Sequence, residues 1–143
     1  MTQKDYEVLK LPIKKENGVS LEDYIGKKVR LEPYKYLKRN NLFSSQKDTV
    51  DESSITLHLR ARGHTELEEP VVKVLLSFNK KQEVEVTVFD GHHRVAIACL
   101  GREAIDAEVI GRYDREKLRR WPFKTFLREF RRLLGRFDLE RDF

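Results

Sequence analysis

Val84, Val86 and Val88 alternate with Glu83, Glu85 and Thr87. This period of two predicts a strand with one face against a core. The apolar, β-rich run Pro70-Val71-Val72-Lys73-Val74-Leu75-Leu76 precedes it, and the polar Asn79-Lys80-Lys81-Gln82 joins the two as a hairpin or short loop. After Gly91 the period changes. Val95, Ala96, Ala98, Cys99 and Leu100 fall at helical spacing, Gly101 ends the helix, and Ala104 to Ile110 returns to strand. Trp121-Pro122 is expected to open a last helix, which carries Phe123, Phe126, Leu127, Phe130, Leu133, Leu134 and Phe137 at steps of three and four.

Earlier in the chain, Leu9, Leu11 and Ile13 alternate as an edge strand would. Ser20-Leu21-Glu22-Asp23 has the form of a capping box, with Gly26 close behind, so only a short turn can follow. Lys28 to Leu31 reads as a short strand ended by Pro33. Tyr34 to Val50 reads as a loop, because Asn40-Asn41 and Ser44-Ser45 favour turns, with Tyr34, Tyr36 and Phe43 pinning it to the core. A helix is expected from Asp51 to Gly63. The sum is an α/β or α+β fold, a single compact mixed sheet flanked by helices. Its parts are an N-terminal extension 1–27, a core 28–111 and a C-terminal basic helical segment 112–143.

The 143 residues suit one domain, and 39% hydrophobic content suffices for a core. One cysteine, Cys99, allows neither an internal disulfide nor a thiolate zinc site, and a reducing, cytoplasmic setting is expected. No stretch is apolar for long enough to span a membrane, so no membrane partner is expected. The net charge of +5 is unevenly placed: from Gly111 onward there are 11 Lys plus Arg against 6 Asp plus Glu. The rest of the chain is balanced, so the C-terminal segment is the part suited to an anionic partner.

Chemistry concentrates at Asp90-Gly91-His92-His93-Arg94, where a strand turns into a helix. A helix N-terminus presents unpaired N–H groups and partial positive charge, which suits an anion. Gly91 permits a tight turn and close approach of a ligand to backbone. Arg94, in the first turn, opposes the helix dipole unless an anion lies between them, and its guanidinium matches phosphate in a fork. His92 and His93 add donors whose charge can change near neutral pH. Asp90 could cap the helix, orient a histidine, accept a ligand hydroxyl or bind magnesium. Without a ligand, the same turn would be an Asp N-cap followed by a surface arginine.

Several segments together resemble the ParB/sulfiredoxin superfamily: Leu59-Arg60-Ala61-Arg62-Gly63, Glu69-Pro70-Val71-Val72, and Val86-Thr87-Val88-Phe89-Asp90-Gly91-His92-His93-Arg94-Val95-Ala96-Ile97-Ala98 with Leu100-Gly101 after it. Lys28 to Pro33 is similar to that group's opening strand. The resemblance implies a nucleotide phosphate site at Gly91, His92, His93 and Arg94, taking ATP, ADP or CTP with Mg. Sulfiredoxins carry a cysteine inside this turn, and His92 stands there in this chain. Free-serine kinases share Asp-Gly-His-His-Arg and use a Glu just after the opening strand's proline. Here that region reads Pro33-Tyr34-Lys35-Tyr36, and Glu32, Glu68 and Glu69 are the nearest acids. The catalytic candidates are therefore Asp90, His92, His93, Glu69 and Glu32, with Asp90 the candidate Mg ligand.

On the last helix, Lys124, Arg128, Arg131, Arg132 and Arg136 could track a DNA or RNA backbone, and the aromatic face is core or a homodimer seam. Three functions are consistent with these features. The first is a nucleotide-binding ParB-like module acting with nucleic acid, as a switch or nuclease. The second is a small-molecule phosphotransferase of the serine-kinase type, and the third a degenerate, non-catalytic interaction module.

Overall fold

The computed structural model describes residues 8–47 and 72–134. The expected helix from Asp51 to Gly63, the candidates Glu68 and Glu69, and Arg136 lie outside the described residues. Within them, strands β1 (Leu9–Lys10), β2 (Lys28–Leu31), β3 (Leu42–Ser44), β4 (Val72–Phe78), β5 (Val84–Asp90), β6 (Ile105–Arg112) and β7 (Trp121–Pro122) form one sheet. Its order is β1-β2-β6-β4-β5-β3-β7. The sheet is mixed: β2 with β6, β4 with β5 and β3 with β7 run antiparallel, and the other neighbours run parallel. Among the described residues three α-helices accompany it: α1 (Pro33–Leu37), α2 (His92–Gly101) and α3 (Phe123–Leu134). The fold is α+β, as the alternation of periods predicts.

The period-two valines supply the core. Val84, Val86 and Val88 of β5, Val72 and Val74 of β4 and Val29 of β2 are fully buried, and Phe123, Phe126 and Phe130 of α3 join them in one cluster. Each such side chain contributes roughly 1.5 to 3 kcal/mol when fully buried. The opposite positions of β4 and β5 are held by Arg120. Its guanidinium donates to Ser77 Oγ (3.3 Å) and Thr87 Oγ1 (3.1 Å) and pairs with Glu85 (3.1 Å). It also stacks between the rings of Phe43 (3.8 Å) and Tyr113 (4.1 Å). This one residue fastens the segment leading into β7 and α3 across the sheet.

Two segments differ from expectation. The region expected as a loop from Tyr34 contains α1 and β3. Pro33 takes the first position of α1, where its missing N–H costs nothing, and Leu42 and Ser44 are buried beside β5. Trp121-Pro122 pairs with Phe43 and Ser44 as β7, and the helix begins only at Phe123. A two-residue strand has no periodicity to read. The described part of the N-terminal extension, residues 8–27, joins the sheet through β1, and Ser20 forms the expected capping box with Asp23. Buried Tyr36 donates from its hydroxyl to the carbonyls of Leu11 (3.1 Å) and Pro12 (2.8 Å), which ties this extension to α1. Tyr36→Phe should cost about 1 kcal/mol, as removal of a hydrogen bond usually does, measured by urea unfolding.

Candidate phosphate-binding turn and basic helix

The end of β5 departs from regular pairing. Val88 pairs with Val74 and Asp90 with Lys73, so Phe89 is an extra residue on β5, and its side chain is 47% exposed. Such a bulge bends the strand and re-aims the residues after it. The chain then passes through Gly91 at φ 88° and ψ 29°, which serves as the N-cap of α2. A Cβ there would fall 3.0 Å from Val72 Cγ2 and 3.1 Å from Val72 Cα. Both the left-handed conformation and the close approach to β4 therefore require glycine. Gly91→Ala should destabilise the fold by about 2 kcal/mol, through left-handed strain plus displacement of Val72, read as a lower urea midpoint.

Asp90 is exposed and is not the cap. Its Oδ1 accepts from the adjacent Gly91 N–H at 2.9 Å, and no side chain caps α2. Of the roles open to Asp90, capping the helix is thereby removed, because the left-handed glycine places Asp90 one residue too early. No acid occupies the first turn of α2, and Arg94 lies there partly exposed. Asp90 precedes and Arg94 follows, in sequence, a helix N-terminus whose cap offers no side-chain acceptor.

The two histidines face α3. His92 is 3% exposed, stacked against Phe123 (centroids 6.3 Å, planes 9° apart) and tilted against Phe126 (5.3 Å). Its Nε2 lies 3.4 Å from Ser45 Oγ. Burial, reinforced by neighbouring His93, pushes its pKa down to about 4, against smaller opposing effects of Asp90 and the Val88 backbone. His92 is therefore neutral at pH 7, which corrects the expectation of a charge change near neutrality. His93 is half-buried, with its ring edge-on to Phe126 (5.6 Å) and Phe130 (6.1 Å).

No family model, curated relative or solved structure matches this chain. The site is thus defined by its own geometry.

Asp90, Gly91, His92, His93 and Arg94 are brought together, and Glu32 is not. Glu32 precedes α1, pairs with Lys35 (2.9 Å) and accepts from the Tyr34 hydroxyl (2.9 Å), and these bonds hold its carboxyl below the usual range. Two strands, β6 and β4, separate β2 from β5, or about 14 Å at normal strand spacing. Among the described residues, no group of three or more His, Cys, Asp or Glu could hold a metal ion. Magnesium at Asp90 would have to complete its shell with phosphate oxygens and water, as this ion commonly does. Cys99 is buried and its thiol is pushed up to about 12, so it is an inert core residue.

On α3 the cations divide. Arg132 is taken up by an ion pair with Glu129 one turn away. Lys124, Leu127, Arg128 and Arg131 line a groove of about 320 Å³. Sequence reasoning missed Lys73, which stands opposite Asp90 in the ladder, and Ser45, which reaches His92. Lys73 had no visible signal, since register is invisible without the bulge. Ser45 lay in the segment read as loop. Among the described residues, no helix is long and apolar enough to cross a membrane.

Proposed function

We propose that this chain is a nucleotide-phosphate-binding module of the ParB-like kind that acts with nucleic acid. The observation that carries the reading is the Gly91 turn: a left-handed glycine pressed on Val72, opening a helix without a side-chain cap, with Asp90 before it and Arg94 after it in sequence. Such a turn lets phosphate oxygens approach backbone N–H groups closely while a guanidinium supplies a fork. ATP, ADP or CTP would be held by its phosphates at Gly91 to Arg94. Mg would enter with the nucleotide at Asp90. The grooved face of α3 would meet the nucleic-acid backbone. Because His92 and His93 both rest on Phe126, a shift of the turn on binding phosphate is felt by α3. That packing supports a nucleotide-dependent switch.

Calorimetry with ATP, ADP and CTP in the presence of Mg tests the reading. Arg94→Ala should weaken nucleotide binding by at least about tenfold, since a charge-assisted hydrogen bond contributes roughly 1.5 to 3 kcal/mol. The variant should still fold, shown by a cooperative urea transition. Equal affinities for wild type and variant would remove Arg94 from the site.

A further inference from the structure

A second cavity lies away from both surfaces, where the N-terminal segment crosses β2 and α1. Its volume is about 360 Å³. Leu11, Pro12 and Ile13 line it on the apolar side, and Lys10, Arg30 and Lys35 supply cations. The two bonds from the Tyr36 hydroxyl fix the backbone of the apolar wall. The cations are not all spent on neighbouring acids. Lys35 pairs with Glu32, and Arg30 pairs with Asp106 through Nε alone, with both side chains of that pair about half exposed. Exposed pairs of this kind are weak and easily rearranged. Among the described residues no ion pair is formed by Lys10. Lys10 and Arg30 are also register partners on β1 and β2. Like charges side by side on neighbouring strands are unfavourable, and an anion between them would relieve the repulsion.

The charge of the lining selects the anion. Glu16 and Glu32 line the same cavity, so three cations face two acids. With Asp106 also engaging Arg30 at one nitrogen, little net positive charge remains, so a monoanion suits the site better than a phosphate dianion. The volume is far larger than one carboxylate needs, and the apolar wall suits an aromatic ring or a short acyl chain. We propose that this cavity binds a small amphipathic carboxylate, with its apolar body against Leu11, Pro12 and Ile13 and its head between Lys10 and Arg30.

The test is amide NMR titration of the full chain with benzoate and with hexanoate, alongside benzyl alcohol and inorganic phosphate. Saturable shifts for the carboxylates, centred on residues 10–13 and 30, are expected. The double variant Lys10→Gln, Arg30→Gln should bind them at least tenfold more weakly. Both side chains are exposed, and an unchanged thermal midpoint would confirm that the fold is kept. The proposal is overturned if neither carboxylate saturates, if benzyl alcohol or phosphate binds as well as benzoate, or if the double variant binds like wild type. Nucleotide affinity at the Gly91 turn should be the same in both proteins, so the two sites are scored separately.

Discussion

Affinity for duplex DNA should fall by about a thousandfold in the triple variant Lys124→Glu, Arg128→Glu, Arg131→Glu. These three side chains are exposed and share one groove on α3. Lys124 and Arg131 are separated by seven residues, or about 10 Å along the helix, enough to span neighbouring phosphates. Removing each charge-assisted hydrogen bond costs at least about 1.5 kcal/mol, and removing three costs about three decades of affinity. Wild type should show a slope of log affinity against log salt of about −2.7, from about −0.9 per neutralised phosphate. The variant should lose this slope for every sequence alike, because backbone contacts carry no base information. Arg132→Ala should change little, since Glu129 already engages that side chain. Fluorescence anisotropy on duplex and single-stranded DNA and RNA over a salt series measures all of this. Absence of wild-type binding even at low salt would make α3 a solvated face, and the phosphotransferase or interaction-module reading would then take precedence.

The strands that could be read from the sequence are those whose side chains repeat. β5 shows a period of two, with Val84, Val86 and Val88 buried as that pattern requires, whereas β4 is legible as an apolar, β-rich run. The aromatic stripe of α3 was readable for the same reason: Phe123, Phe126, Phe130 and Leu133 are buried at steps of three and four. α1 and β3 were not readable. Five and three residues are too few for a period, and their stability comes from tertiary packing of Tyr36, Leu42 and Ser44. β7 exists only because β3 is beside it.

The turn itself was legible because Gly91 and the change of period locate it. Its polarity was not. Asp-Gly before a helix looks like an acid cap, and only the left-handed φ at Gly91 shows that glycine takes the cap position. The histidines misled more strongly. Two adjacent imidazoles beside an arginine look like ligand donors, yet their destination depends on where α3 folds back, some thirty residues later in the chain. Phe126 receives both rings. The stripe announced a core but not which residues it would cover.

That burial leads to the second large effect, which is on acid stability. The folded chain holds the His92 pKa at about 4, whereas an unfolded histidine titrates near 6.5. Between these values the unfolded chain binds a proton that the folded chain does not, so folding becomes less favourable as pH falls. The contribution of His92 is complete above pH 6.5, is lost progressively below it, and amounts to about 3 kcal/mol by pH 4 at 1.36 kcal/mol per unit. Roughly 2 kcal/mol of this should already be gone at pH 5. Carboxylates also contribute at low pH; Glu83, held low by Asn79, Asn41 and Arg39, is one. The comparison with His92→Gln isolates the histidine. Glutamine does not titrate, so the variant should be less stable than wild type at pH 7.5, where it loses the packing on Phe123 and Phe126, but should lose less on going to pH 5. Urea unfolding of both proteins at pH 7.5, 6 and 5 gives the two slopes. Parallel slopes would show that His92 gains its proton as easily when folded as when unfolded. That outcome would mean that α3 does not seal the ring from water, and the packing proposed to link the turn to the basic helix would fall with it.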